Sequence, residues 1–350
     1  MDVGQHILMK MLCVMVAIRY VVAATFMMAA IVIPIEAIAD KANVFFIHGG
    51  NVSEEEARVD VQVTVCDENG AIVSNAEVVV SFLVKPAEEN VSKGQTNDKG
   101  VFSASCDSCI GRYTIRASKE GYYETFVKRS IKSGKSSEIK RSKKWFDGEA
   151  TEKITLRPVR MPVKMQTADL FNAGIPATNE TLKLDLQTLK WCPPYGDGRH
   201  DDVHLVYRAK INPHVWLDFS RSVEIYFPHS ADGFYLEKTD GGGSKMRHSY
   251  TARTNEVYRK KIAFSFSRTE KTIVDNVKLA DDEYLVFRTR TQTNENGRLV
   301  SANYGFIAEK IKYITGLDLS VKFNSCKNDP NLEDAQILRR QKIEQKRRAK

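Results

Sequence analysis

Apolar and polar residues alternate strictly from residue 58 to residue 66. Successive side chains of a β-strand point to opposite faces, so this stretch predicts a strand with one buried and one solvated face. Asn69-Gly70 follows it and predicts a tight turn, because both residues tolerate the positive φ that such a turn needs. Comparable patterns recur further along and predict strands at 58–66, 76–84, 100–106, 112–118, 122–130 and 150–157.

A second patterned region follows Pro158, Pro162 and Pro176. Alternation is clearest at 203–211, and Asn296-Gly297 predicts a hairpin. A large apolar side chain contributes about 1.5–3 kcal/mol when it is fully buried, so these rows can sustain a core of their own. The DGGGS stretch at 240–244 predicts a flexible loop. Further apolar rows lie at 223–227, 262–266 and 285–287.

The two patterned regions predict an all-β protein. We expect a first β-sandwich over 58–160 and a second β-rich domain, a β-sandwich or jelly-roll, over 161–330. The remaining segment, 331–350, is basic. Asn331 can cap a helix there, acidic residues lead and basic residues close, which suits the helix dipole, but the apolar side is narrow. The segment is therefore predicted to be a helical or disordered tail.

The N-terminus has the features of a secretory signal over residues 1–39. The uncharged apolar run Tyr20–Ile33 is shorter than the roughly 20 residues of a spanning helix, and Ala37-Ile38-Ala39 forms a small-residue cleavage site. Cleavage after Ala39 leaves a linker at 40–57 and predicts a periplasmic or secreted protein. An uncleaved helix that anchors the chain is the alternative.

Export makes the cysteines disulfide candidates. The exported part of the chain has an odd number of them, so at least one is free or pairs with another molecule. Cys106 is expected to pair with Cys109 or, across the sandwich, with Cys66. A redox pair or half a zinc site is the alternative for Cys106 and Cys109, but no second CxxC accompanies them. The remaining cysteines are Cys192 and Cys326.

The formal net charge of +8 is concentrated in two segments, 128–144 and the tail. The first has eight basic residues and one acidic residue, and an aromatic pair follows it. Such a segment is either a solvated loop or a site for polyanions. For an exported chain the expected partners are cell-surface polysaccharide, anionic lipid or another exported protein, and not nucleic acid. The candidate polyanion-binding residues are Lys128, Arg129, Lys132, Lys135, Lys140, Arg141, Lys143, Lys144 and Trp145.

One cluster of metal-ligand residue types occurs at 198–204. Asp202 and His204 would share a face of a strand, and His200 from the preceding loop could join them on a metal ion. The alternative is a polar loop that enters a strand, with His204 on the solvent face beside Arg208. No cofactor is predicted.

The first patterned region resembles a known fold family. It contains V-x-V-T-V-x-D-x-x-G at 61–70, A-x-V-x-V at 76–80, T-N-D-x-G-x-F at 96–102, G-x-Y-x-I at 111–115 and G-Y at 121–122. This order is similar to that of the transthyretin-like (prealbumin-like), carboxypeptidase-regulatory-like domains. The resemblance covers about 58–158 and implies a Greek-key β-sandwich that serves as a structural or presenting module in exported proteins.

Two active relatives of that fold can be tested on residues. The hydroxyisourate hydrolases end in Tyr-Arg-Gly-Ser, and the isopeptide-linked adhesin repeats use a lysine in the first strand; this chain has neither feature. HExxH, GxSxG and P-loop motifs are also absent. The sequence thus favours a non-enzymatic protein with a structural or binding role. The alternative is a hydrolase or carbohydrate-active enzyme with paired carboxylates in the C-terminal domain.

Overall fold

The fold is all-β, as the alternation predicts. The computed structural model describes residues 57–85, 87–130, 148–215, 217–255, 257–276, 279–280, 282–307 and 311–348. These residues belong to one compact unit, 54–350. The predicted signal and residues 40–56 of the predicted linker lie outside the described residues. In the described part of the chain, no helix is both long and apolar enough to cross a membrane.

The first sandwich consists of two four-stranded sheets with the strand orders β4-β1-β8-β6 and β3-β2-β5-β7. Strand β1 pairs antiparallel with β4 and parallel with β8, so the first and last long strands of the sandwich are neighbours. The strands are β1 (Ala57–Asp67), β2 (Glu77–Lys85), β3 (Glu88–Gln95), β4 (Val101–Cys109), β5 (Arg112–Ser118), β6 (Tyr122–Tyr123), β7 (Thr125–Ser130) and β8 (Gly148–Pro158).

The alternation at 58–66 places the valines of β1 in the core of this sandwich, where they are essentially inaccessible to solvent. The predicted turn also forms. The Asp67 carboxylate accepts hydrogen bonds from the backbone N–H groups of Asn69 and Ala71, and Gly70 has a φ of 82°. Strand β3 was not predicted, because Val91 is the one large apolar residue in its sequence EENVSKGQ.

The second sandwich contains a six-stranded sheet, β11-β10-β12-β13-β15-β16, and a five-stranded sheet, β14-β17-β18-β19-β9. Their inner faces enclose a core rich in aromatic side chains. The strands are β9 (Gln166–Ala173), β10 (Thr181–Asp185), β11 (Lys190–Trp191), β12 (Val203–Ile211), β13 (Phe219–Tyr226), β14 (Gly233–Lys238), β15 (Lys261–Arg268), β16 (Ile273–Asn276), β17 (Glu283–Thr293), β18 (Leu299–Ile307) and β19 (Leu317–Asn324).

The C-terminal segment forms a helix, α1 (Ala335–Arg348). The cap differs from the sequence prediction: Asp334 Oδ1 accepts the N–H of Gln336, whereas Asn331 Oδ1 accepts the N–H of Glu333 one turn earlier. Gln341 is buried, so the helix packs against the rest of the molecule along one side.

The glycine-rich stretch 240–244 is held against the first sandwich, which the prediction of a flexible loop did not anticipate. The N–H of Phe126 donates to the Gly243 carbonyl at 2.9 Å, and the N–H of Lys245 donates to the Glu124 carbonyl at 2.9 Å. A Cβ at Gly243 would lie 2.3 Å from the Phe126 carbonyl oxygen, so the close approach requires glycine. This loop covers the free edge of β7. The boundary between domains at 58–160 and 161–330 stays a prediction.

Candidate binding groove

A groove of about 1260 Å³ lies between the outer face of the sheet β3-β2-β5-β7 and α1. Strands β2, β3 and β5 supply its floor, and the side of α1 that carries Leu338, Gln341, Lys342 and Gln345 supplies a wall. These helix residues are three or four apart and so share one face. The groove is lined by five basic side chains, Lys93, Arg116, Lys119, Lys342 and Arg348, and by three acidic ones, Glu77, Glu120 and Glu124.

Strand register fixes the order of the basic side chains on this sheet. Val79 of β2 pairs with Lys93 on one side and with Arg116 on the other, so these three lie in one row across the sheet. The next row runs from Val91 through Ser81 and Thr114 to Lys128. Lys128, a predicted polyanion-binding residue, thus lies on the same outer face as the basic residues of the groove.

Buried Glu124 fixes the position of α1 at the groove. Its carboxylate receives Arg348 at 2.8 Å, Lys245 at 3.4 Å and Arg116 at 3.7 Å. A buried carboxylate is costly unless cations and hydrogen bonds compensate it, and these three cations come from α1, the second sandwich and β5. Gln341 completes the attachment, because its Oε1 accepts the N–H of Glu124 at 3.0 Å.

Arg116 is the central cation of the groove. Its guanidinium carbon lies 5.4 Å from the centroid of the Phe126 ring, next to it in the same row. The Arg116 Nε is buried and makes no hydrogen bond within the part of the chain that the structure describes. The ring and the 3.7 Å ion pair between that Nε and Glu124 therefore fix the position of the partly exposed guanidinium in the groove.

Glu333 attaches the segment before α1 to β6 and to the chain that follows β8. Glu333 Oε1 accepts the hydroxyl of Tyr123 at 2.8 Å and the N–H of Arg160 at 2.9 Å, and Oε2 accepts the N–H of Met161 at 2.7 Å. Burial is the main reason that the pKa of Tyr123 is raised, and the bond to Glu333 adds to it. The tyrosine stays protonated and keeps donating to the carboxylate.

The described residues include two members of the predicted polyanion-binding set. Lys128 is exposed on the outer face, whereas Arg129 points to the other side of β7 and pairs with Glu152 at 3.0 Å. Tyr113 donates to the same carboxylate at 2.7 Å, so Arg129 belongs to a structural cluster. The remaining predicted residues lie outside the described residues: Lys132, Lys135, Lys140, Arg141, Lys143, Lys144 and Trp145.

The structure does not bring the predicted metal ligands together. The Asp202 carboxylate is buried and forms an ion pair with Arg290 at 2.9 Å. The backbone carbonyl of His200 accepts a hydrogen bond from the Cys192 thiol. In the described part of the chain, no three His, Cys, Asp or Glu side chains form a possible metal site. Asp202 precedes the first residue of β12 and points inward, so it does not share a face with His204.

His204 instead belongs to a polar row on the outer face of the six-stranded sheet. Its Nδ1 lies 3.0 Å from the hydroxyl of Tyr226, its Nε2 lies 2.7 Å from Asp201 Oδ1, and Asp201 also receives Lys183 at 2.9 Å. Burial raises the pKa of the Asp201 carboxyl, but the hydrogen bonds from Lys183 and His204 outweigh it and hold that pKa below its usual value. The row agrees with the solvent-face alternative for His204.

The predicted disulfides do not form in the structure, where Cys66, Cys106 and Cys109 are buried free thiols. Cys106 pairs with Val59, seven residues from Cys66 along β1, which corresponds to about 23 Å. Cys106 and Cys109 both lie in β4, which continues three residues beyond its predicted end. An extended chain keeps such residues about 10 Å apart, whereas a disulfide needs Cα atoms within about 7 Å. Burial raises the pKa of the Cys109 thiol.

The groove was missed because its two sides are far apart in sequence. The helical spacing of Leu338, Gln341, Lys342 and Gln345 was visible in the tail, and Lys93 and Val91 alternate on β3. Neither pattern shows that the helix lies against the sheet, since that contact depends on Glu124 and Gln341, 217 residues apart.

No family model matches the chain, and no curated protein matches it in sequence. Solved structures give distant likenesses. A catechol 1,2-dioxygenase variant from Acinetobacter radioresistens is 13% identical over 32% of this chain and 55% of its own, with a TM-score of 0.24. The chain thus spans about half the length of that relative.

Two further structures are matched over most of this chain. The major pilin subunit BcpA of Bacillus cereus is 10% identical over 79% of this chain and 100% of its own, with a TM-score of 0.22. The Bacillus anthracis TIE protein is 13% identical over 79% of this chain and 49% of its own, with a TM-score of 0.20. At such scores these likenesses carry no argument about function.

Proposed function

We propose that this chain is an extracytoplasmic, non-enzymatic binding protein whose groove and adjoining sheet face bind an anionic polysaccharide. The observation that carries the proposal is the arrangement of Lys93, Arg116 and Lys128 on one outer face, with basic residues of α1 opposite them. In this proposal the first sandwich is a transthyretin-like module. Two features of the strand order support that resemblance: β1 and β8 are neighbours in one sheet, and strands that follow one another in sequence are divided between the two sheets.

The spacing of the basic residues suits a polymer better than a small anion. Lys93 and Arg116 lie two strands apart, which is about 10 Å across the sheet. Point charges at such intervals attract an extended chain of negative groups, whereas a single anion would need convergent donors. The sequence that follows Ser130, the last residue of β7, carries further basic residues, which the proposal assigns to the same partner.

The predicted compartment agrees with the proposed polysaccharide partner. The predicted signal sends the chain out of the cytoplasm, where polysaccharides are the abundant polyanions and nucleic acid is not the expected partner. The absence of catalytic motifs from the sequence supports a binding role. The two sandwiches then provide a rigid frame on which the groove is displayed.

The test is retention on immobilised heparin by the chain from residue 40 onward, which keeps the compact unit 54–350. The binding variant carries Lys93→Ser, Lys128→Ser and Lys342→Ser, three exposed lysines around the groove. The matched control carries Arg208→Ser, Lys210→Ser and Lys261→Ser on the outer face of the second sandwich. Both lose three positive charges.

We expect the binding variant to elute at clearly lower salt than the parent chain, and the control to elute close to the parent. Binding should weaken as salt rises past about 0.15 M, where the screening length is about 8 Å. Equal shifts in the two variants would show that net charge alone governs retention and would contradict a site at the groove. Retention on anionic vesicles without retention on heparin would assign the face to lipid instead.

A further inference from the structure

Strand β3 is an open edge of the first sandwich. Among the described strands it pairs with β2 alone, and most of its side chains are exposed. The opposite edge of the same sheet, β7, is covered by the loop that contains Gly243. The edge of β3, eight residues long, presents unpaired N–H and C=O groups that can pair with another chain.

The outer face of β3 carries opposite charges on the two sides of its centre. Glu89, Val91 and Lys93 alternate on the outer face, and Val91 is 56% exposed. Charged residues on an edge deter most partners. A second copy that runs antiparallel and is centred on Val91 is an exception, because it sets each Glu89 opposite a Lys93 and the two valines against each other. Opposite charges at such cross-strand positions are stabilising.

We infer that β3 pairs with β3 of a second copy of this chain in that register. The pair joins two four-stranded sheets into one of eight strands and places the outer faces of both copies side by side. Both grooves then lie on one continuous surface, so one long polyanion can reach both and gain avidity. The pairing itself rests on the edge and its charges, and it stands whether or not the groove binds polysaccharide.

Charge exchange between copies tests the register. In the Glu89→Lys homodimer two positive charges meet at each of these cross-strand positions, and in the Lys93→Glu homodimer two negative charges meet there. Each variant alone should dimerise at least about tenfold more weakly than the parent, because two attractive pairs become two repulsive ones. In an equal mixture, both lysines of the Glu89→Lys chain face glutamates of the Lys93→Glu chain in the heterodimer, so mixing should restore dimerisation. The double variant Glu89→Lys/Lys93→Glu restores opposite charges at both positions and should dimerise with parental affinity.

Sedimentation velocity over a dilution series measures this directly on the chain from residue 40 onward. Lys271→Glu, next to the exposed edge strand β16 of the second sandwich, is the matched control and should leave dimerisation unchanged. Unfolding by urea confirms that each variant is folded, which matters for Lys93→Glu because Lys93 also pairs with Glu77 at 2.8 Å.

A cross-link gives a second readout. In a Cys326→Ser background, which removes the exposed thiol, Val91→Cys should form an intermolecular disulfide on mild oxidation, and Ser92→Cys on the other face should not. A parent chain that is monomeric throughout the dilution series overturns the proposal. So does a dimer that Glu89→Lys leaves intact.

Discussion

The two sandwiches differ in where they place buried charge. In the first, the buried charged residues Glu124 and Arg157 both face other parts of the molecule, and the buried polar residue Thr96 of the interior is uncharged. Arg157 donates to the carbonyls of Met246 and His248 at 2.7 Å. In the second, Asp202 lies inside the sandwich, held by Arg290.

The Arg290 cluster shows how the second sandwich compensates these charges. Arg290 donates from Nε and Nη2 to Asp202 at 2.9 Å and from Nη1 to Gln187 at 2.7 Å. The side chain of Asp185 lies 3.3 Å from the same guanidinium. In the second sandwich one guanidinium on β17 thus joins the end of β10 to the residue that precedes β12.

The largest expected effect is that of Arg290→Met. It leaves Asp202 and Asp185 buried without their cation, and breaking a buried pair in this way costs about 3–5 kcal/mol. Urea unfolding should show that loss in the free energy of unfolding, while Arg298→Met in the exposed β17–β18 turn should change little. A loss no greater than that of Arg298→Met would show that the cluster is not decisive for the second sandwich.

The next effect concerns the contact between the sandwiches. Glu333→Gln replaces an acceptor oxygen with an amide donor that faces the N–H groups of β8's C-terminal extension, Arg160 and Met161. An unsatisfied buried group costs about 1–3 kcal/mol, so unfolding should occur at correspondingly lower urea. Glu295→Gln, in an exposed turn, is the control. Equal midpoints for both variants would mean that Glu333 does not stabilise the junction.

A pH effect should come from His248. Burial first, and then the charges of Arg247 and Arg157, lower the pKa of His248 to about 3. The unfolded chain takes up this proton near the ordinary value of 6.5. Stability is therefore fully present above about pH 6.5 and falls as pH decreases toward 3, with a slope of at most about 1.4 kcal/mol per pH unit.

His248→Phe isolates this contribution. Its ring can take the place of the imidazole, which lies 4.2 Å from the Phe306 ring centroid and 4.6 Å from that of Tyr284. The variant should lose less stability than the parent between about pH 7 and pH 5, in urea titrations at each pH. The exposed substitution His214→Phe should keep the parental slope, and identical slopes in all three proteins would contradict the assignment.

The last effect concerns the first sandwich and should stay below that of Arg290→Met. Thr96 Oγ1 donates to the Val73 carbonyl at 2.9 Å and accepts the N–H of Ala76 at 2.9 Å. Thr96→Val removes both bonds and should lower the free energy of unfolding by about 2 kcal/mol, because each neutral hydrogen bond contributes about 1 kcal/mol. Thr151→Val, at an exposed position of β8, is the control. A loss as large as that of Arg290→Met would remove the difference between the two sandwiches.

Much of the strand pattern could be predicted from sequence. Strands with a buried face show the alternation, strictly in β1 and with the exception of Val206 in β12, and Asn69-Gly70 and Asn296-Gly297 both mark turns between paired segments. Strand β3 was not predicted, because neither of its faces is buried and its sequence therefore does not need an apolar residue at every second position. The end of β4 was placed three residues too early, whereas the disulfide predictions followed from the predicted export.

The sequence by itself determined the all-β class, because burial of one sheet face imposes a period of two on local residues. It also placed Lys128 in a basic cluster. Only the tertiary structure decided that Lys128, Lys93 and Arg116 share one face, and that α1 forms a wall of the groove beside them. The physical reason is range: alternation acts between neighbours, whereas the contacts of Glu124 with Gln341 and of Asp202 with Arg290 join residues 217 and 88 positions apart.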